Sequence, residues 1–162
     1  MSKYIVRKLD PTEAGSAARV IIDVVEDEAN RSNAFRIEVM EKKLVSNKCL
    51  VLLRDDEIVG VAVYTLDDDS VYRREHVRFI EHFVVKEDNR FNRGVFELWS
   101  EVVKRLSGKP IFLITKDPST FEGFVEHVYS FAVEKYHGTE KLYRVKQEHV
   151  DKIMKLRKKS HG

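Results

Sequence analysis

The sequence predicts an α/β (α+β) fold: a single domain with a mixed, mostly antiparallel central sheet and helices on both of its faces. Three observations lead there. Apolar residues recur with a period near two in some segments and near 3.6 in others. Two strand-like runs joined by a two-residue polar turn read as an antiparallel hairpin, and a later strand, helix and strand in succession read as a crossover. Finally, 162 residues that are 43% hydrophobic, with nine Phe, six Tyr and one Trp, supply one core and are too few for two ordinary domains.

Taken in order, Tyr4 to Leu9 alternates apolar and basic residues, as a half-buried strand does. Asp10-Pro-Thr-Glu13 then offers an N-cap, a proline at the first helical position and a carboxylate at the third. Ala14, Ala17, Ala18, Ile21 and Val24 follow on one helical face. A second helix is expected from about Ala34 to Val45, after the polar Asn30-Arg-Ser-Asn33. Lys48–Arg54 and Glu57–Leu66 form the hairpin, turning at Asp55-Asp56. A third run from about Val77 to Val85 is the next strand. Asn92-Arg-Gly94 opens the most regular helix of the chain, in which Val95, Leu98, Trp99, Val102 and Leu106 keep the 3.6-residue period. Gly108-Lys-Pro110 ends it and Ile111–Thr115 is a short apolar strand. Asp117-Pro118 starts another helix with Phe121, Phe124 and Val128 inward, and a final hairpin surrounds His137-Gly138-Thr139. Val150, Ile153 and Met154 mark a short C-terminal helix that ends in a basic tail. The order is β-α-α-β-β-β-α-β-α-β-β plus that helix.

The net charge of +2 averages over two unlike regions. From Lys141 onward eight bases stand against two acids, whereas the rest carries 21 bases and 25 acids. By its elements the chain divides into a body, 1–146, and a basic C-terminal helix and tail, 147–162. Residues 1–140, with 21 bases against 25 acids, do not carry the footprint of a protein that wraps nucleic acid, and nucleic acid is not expected as a partner. The one cysteine, Cys49, lies in the apolar run Cys49-Leu-Val-Leu-Leu53 and reads as a buried thiol, not a nucleophile. No apolar run approaches the ~20 residues of a membrane span, and the charged N-terminus is not a signal peptide, so no membrane partner and a cytoplasmic location are expected. The six histidines lack metal-ligand spacing and one cysteine cannot complete a zinc set, so no metal is assigned.

With these elements in view, Phe83-Val-Val-Lys-Glu-Asp-Asn-Arg-Phe-Asn-Arg-Gly-Val-Phe-Glu-Leu98 and the order of elements resemble the GNAT superfamily of acyl-CoA-dependent N-acyltransferases. The likeness in order runs from Tyr4 to about Lys146, and the specific motif from Glu81 to Leu106. In that family the loop after the fourth strand has the form Arg/Gln-x-x-Gly-x-Gly/Ala, and a helix start holds the coenzyme A pyrophosphate. The physics is general, because a helix N-terminus presents unpaired N–H groups and partial positive charge. The resemblance thus assigns Phe83, Val84, Val85, Arg90, Phe91, Asn92, Arg93, Gly94 and Val95 to acetyl-CoA. Arg90 fits the first motif position, but Arg93 stands where the first glycine belongs and Val95 where a small residue belongs. Either the two guanidinium groups supplement the helix N-terminus, or Arg93 and Val95 obstruct the phosphates.

Acyl transfer needs a neutral amine, hence a base. The resemblance points to Glu81 on the fourth strand, in the same alternating row as Phe79, Phe83 and Val85; an outward carboxylate paired with Arg78 or a histidine fits the same residue. His82 and His76 take the opposite row. The tyrosine that protonates the leaving thiolate in many relatives falls near Glu126 or His127 in register, so Tyr129, close by but off register, is the candidate acid, and its plainer reading is a half-buried helix aromatic. What the resemblance implies is acetyl transfer from acetyl-CoA to an amine on a small molecule or protein, by direct attack in a ternary complex. A second reading is a GNAT-fold protein that binds without catalysing, with a basic interaction tail. A second copy of the chain is left open as a further partner.

Overall fold

The computed structural model describes residues 3–24, 33–46, 48–65, 78–86, 93–114, 133–135 and 142–161. They divide into two compact units, Met1–Tyr64 with His82–Leu98 and Thr65–Glu81 with Trp99–Gly162. The helix expected after Asp117-Pro118 and the turn at His137-Gly138-Thr139 lie outside the described residues.

In the first unit, β1 (Tyr4–Lys8) pairs antiparallel with β2 (Lys48–Arg54), and β2 with β3 (Glu57–Thr65). The β2–β3 turn is formed by Asp55 and Asp56, with φ of 49° and 69°. Two successive left-handed residues make the primed turn whose twist matches that of the strands, and aspartate tolerates that region better than bulkier residues. Asp55 Oδ1 also accepts from Lys3 N at 2.9 Å, which ties the turn to the start of the chain. The C-terminal half of β4 (Arg78–Val85) belongs to this unit, and Lys86 N donates to Val59 O at 2.8 Å.

Asp10 caps the 3-10 turn Pro11–Glu13, which leads into α1 (Ala14–Val24). Thr12 N donates to Asp10 Oδ1 at 3.0 Å, and Asp10 N donates back to Glu13 Oε1 at 3.2 Å, the reciprocal box read in the sequence. The Arg7 guanidinium adds two bonds of 2.7 Å to the same Glu13 carboxylate, coupling this helix entry to β1. Ala17, Ala18 and Ile21 of α1, with Leu44 of α2 (Asn33–Ser46), pack on Cys49, Val51 and Leu53 of β2 and Val84 of β4. The other face of β2 meets α3 (Arg93–Leu106) through Leu52, so helices cover both faces of the sheet within this unit.

In the second unit the N-terminal half of β4 runs parallel to β5 (Ile111–Ile114), pairing Phe79 with Phe112 and Ile80 with Leu113. A parallel neighbour requires a long crossover, and α3 provides it. β7 (Leu142–Val145) pairs antiparallel with β5 on one side and with β6 (Val133–Lys135) on the other. Strand order is therefore β1-β2-β3-β4 in the first unit and β4-β5-β7-β6 in the second, with β4 common to both.

The C-terminal helix is longer than expected: α4 runs from Gln147 to His161 and carries the basic residues as helix, not as a tail. Lys, Arg, Leu and Met are all good helix formers, and cations suit a helix C-terminus. Val150 and Ile153 are buried, and His149, 4% exposed, receives the Trp99 indole N–H on Nε2 at 2.8 Å.

Candidate active site

The candidate cofactor-binding residues that the structure describes lie on the N-terminal turn of α3 and the end of β4, both in the first unit. Gly94 shows how the helix start is placed. A Cβ there would fall 2.6 Å from Tyr4 Cδ1 and 3.1 Å from Leu52 Cδ1, so the backbone of the first turn lies directly on side chains of β1 and β2. Val95 follows inward and is 1% exposed, so its bulk goes to the core and not to the mouth of the helix. Arg93, the first residue of α3, points the other way: its side chain is 88% exposed, and Nε donates to Glu97 Oε1 at 3.1 Å. Phe96 is exposed on the same turn. Arg90, Phe91 and Asn92 lie outside the described residues, as does Tyr129.

On β4, Phe83, Val84 and Val85 are all buried. Glu81 occupies the middle of the strand, and its side chain is not among those described. Its neighbour His82 is half-buried, with Nε2 3.2 Å from Lys43 Nζ of α2. The ammonium is the donor, which leaves His82 Nε2 as a lone-pair acceptor on that contact. Sequence reasoning passed over this pair because the partners are 39 residues apart and neither belongs to a motif. Phe96 carried a readable signal: it is an apolar residue just off the stripe that Val95, Leu98, Trp99 and Val102 follow.

The electrostatics elsewhere in the first unit are structural. Arg7 holds the Glu13 carboxyl below its usual range through their hydrogen bonds. Glu57 pairs with Lys86 at 3.2 Å, and both line a groove of about 460 Å³ shared with Glu13, Arg19, Asp55 and Asp56. Burial pushes the Cys49 thiol up to about 12, far from a thiolate at neutral pH. Among the described residues no group of three or more His, Cys, Asp or Glu comes together as a metal set, and no helix is long and apolar enough to cross a membrane.

No family model and no curated protein matches the sequence. Solved structures do. A GNAT-family acetyltransferase from Staphylococcus aureus Mu50 superposes with a TM-score of 0.66 at 12% identity, covering 88% of this chain and 98% of that one. Another from Bacillus cereus ATCC 10987 gives 0.62 at 14% identity, covering 89% and 97%. This chain has the GNAT fold. The diaminobutyrate acetyltransferase of Paenibacillus lautus, solved with its substrate L-2,4-diaminobutyric acid and coenzyme A, shares the GNAT fold at a TM-score of 0.58 and 15% identity, covering 90% and 95%. Identities this low carry the GNAT architecture and not the identity of any side chain.

Proposed function

We propose that this chain is an N-acetyltransferase that moves an acetyl group from acetyl-CoA to an amine acceptor. The observation that carries the reading is the outward face of the α3 start. The two residues that depart from the family motif part company there, Val95 into the core and Arg93 into solvent at the positive end of the helix. A guanidinium beside helix N–H donors is a donor set that fits a pyrophosphate. Phe83, Val84, Val85, Arg90, Phe91, Asn92 and Gly94 complete the proposed acetyl-CoA site.

In the reaction the neutral amine nitrogen attacks the thioester carbonyl, a C–N bond forms, the C–S bond breaks and coenzyme A leaves as a thiolate. Glu81 is the proposed base, taking the amine proton directly or through water, and Tyr129 the proposed acid for the thiolate. Holding both substrates in one complex turns a bimolecular step into an effectively unimolecular one. The acceptor is a small-molecule or protein amine, and the reaction is a cytoplasmic one. Residues 1–146 carry the transferase, with the basic helix of 147–162 as its appendage, and the enzyme acts alone or as a homodimer.

The second reading, binding without catalysis, draws on the Arg93–Glu97 ion pair, in which a carboxylate already occupies the guanidinium Nε. Thiol release from acetyl-CoA, followed with a thiol reagent against a panel of amines, separates the two. Amine-dependent release that falls at least tenfold in Glu81→Gln, with acetyl-CoA affinity kept, supports transfer with Glu81 as base. Tight binding without release on any amine supports the second reading.

A further inference from the structure

We propose that Lys43 is itself an acetyl acceptor, an amine of this chain readied by the imidazole of His82; for its natural donor the proposal rests on the acetyl-CoA reading above. The two nitrogens, Lys43 Nζ and His82 Nε2, stand 3.2 Å apart. A nucleophile and a base within hydrogen-bond reach of each other is the arrangement by which covalent chemistry activates a weak nucleophile. The contact joins different elements, Lys43 from the last turn of α2 and His82 from the middle of β4, so the packing of helix on sheet makes it. Leu44 beside Lys43 and Val84 two residues beyond His82 belong to one buried cluster, at 2% and 5% exposed. Lys43 and His82 themselves are half-buried, so the cluster holds their backbones while neither side chain is sealed from solvent.

A lysine ammonium has three donors and no lone pair, so it must lose a proton before it can attack a carbonyl. At Lys43 the neighbouring imidazole nitrogen is the acceptor that takes it. The freed lone pair attacks the thioester carbonyl, a C–N bond forms and the C–S bond breaks. A second proton passes from the nitrogen to the departing thiolate, and His82 returns its own to solvent, leaving N-acetyl-Lys43 and a free thiol. His82 directly precedes Phe83, Val84 and Val85, the β4 residues proposed for acetyl-CoA, so the contact brings the acceptor nitrogen to that strand. Glu81 remains the proposed base for amines arriving from solution, whereas His82 serves the chain's own.

The test incubates the whole chain with acetyl-CoA and, separately, with S-acetyl-N-acetylcysteamine, an acetyl thioester without the nucleotide, and maps acetyl-lysine by peptide mass spectrometry. The exposed Lys48 and Lys152 are the references within each sample. Base assistance predicts acetylation of Lys43 at least about tenfold faster than of the references, and His82→Gln should bring Lys43 down to their rate. In His82→Ala, added imidazole should restore the preference for Lys43, which a chain that had merely lost its fold would not show. No preference for Lys43 with either donor, or a preference that survives His82→Gln, overturns the proposal. A preference with the small thioester, in a chain whose melting temperature ignores acetyl-CoA, upholds the proposal and overturns the acetyl-CoA reading. A melting temperature that acetyl-CoA raises, with no acetyl group on Lys43 from either thioester, overturns this proposal alone.

Discussion

Gly94→Ala is the substitution whose outcome the structure specifies most closely. The added methyl would sit 2.6 Å from Tyr4 Cδ1, 3.0 Å from Tyr4 Cγ and 3.1 Å from Leu52 Cδ1. The Tyr4 atoms are at the root of the ring, so relief requires the whole side chain or the helix start to move. Overpacking of this kind costs ~1–3 kcal/mol. Alanine returns up to ~1 kcal/mol through its higher helix propensity. The net loss is about 1–2 kcal/mol, a fall in melting temperature of about 2–8 °C for a chain of this size. Urea and thermal denaturation of the parent, Gly94→Ala, Tyr4→Ala and the double variant form the assay. In the Tyr4→Ala background the two shortest contacts vanish, so Gly94→Ala should become neutral or mildly stabilising, with a coupling energy of about 1–2 kcal/mol. An equal cost in both backgrounds would show that something other than Tyr4 demands glycine there.

Other perturbations follow from the same geometry. Burial, aided by Lys152, lowers the pKa of His149 from its ordinary 6.5. As pH falls below 6.5 the unfolded chain binds a proton that the folded chain refuses, so stability declines until the folded pKa is passed, by at most about 1.4 kcal/mol per pH unit. Urea midpoints from pH 7.5 to 5.5 should show this slope, and His149→Gln should flatten it; identical slopes would remove His149 as its source. Glu13 acts in the same direction over a lower pH range. Its folded pKa lies below the ordinary value, so its contribution is present above that value and fades as pH drops through the folded one. Glu13→Gln should cost about 0.5–1 kcal/mol at pH 7, measured by denaturation, because an Arg7 pair and a cap bond are both weakened. Arg93→Ala together with Arg90→Ala should weaken acetyl-CoA about tenfold or more, with a shallower salt dependence in calorimetry; unaltered affinity would place the phosphates elsewhere.

Features set by neighbours in sequence were legible before any coordinates. Asp55-Asp56 between two apolar runs signals a hairpin because only a few residue types accept consecutive left-handed conformations, and the structure has them at φ 49° and 69°. The capping box at Asp10 and Glu13 and the apolar period of α3 are likewise local. What was hidden depends on distant partners. Gly94 reads as a displaced motif glycine until Tyr4, 90 positions earlier, is seen against it. Val95 reads as an obstruction until it proves to be core. The Trp99–His149 and Lys43–His82 contacts join residues 50 and 39 apart that have no common pattern. The length of α4 was underestimated because its last turns have no apolar stripe to reveal them, although their helix propensity is high.

The most direct test of acetyl-CoA recognition is the melting temperature of the purified chain with and without millimolar acetyl-CoA. Binding at about 100-fold above Kd adds ~2.7 kcal/mol, which for a chain of this size raises the midpoint by about 5–11 °C. A rise of that order that Arg93→Ala with Arg90→Ala diminishes is the predicted result. A midpoint that millimolar acetyl-CoA leaves unchanged contradicts the account.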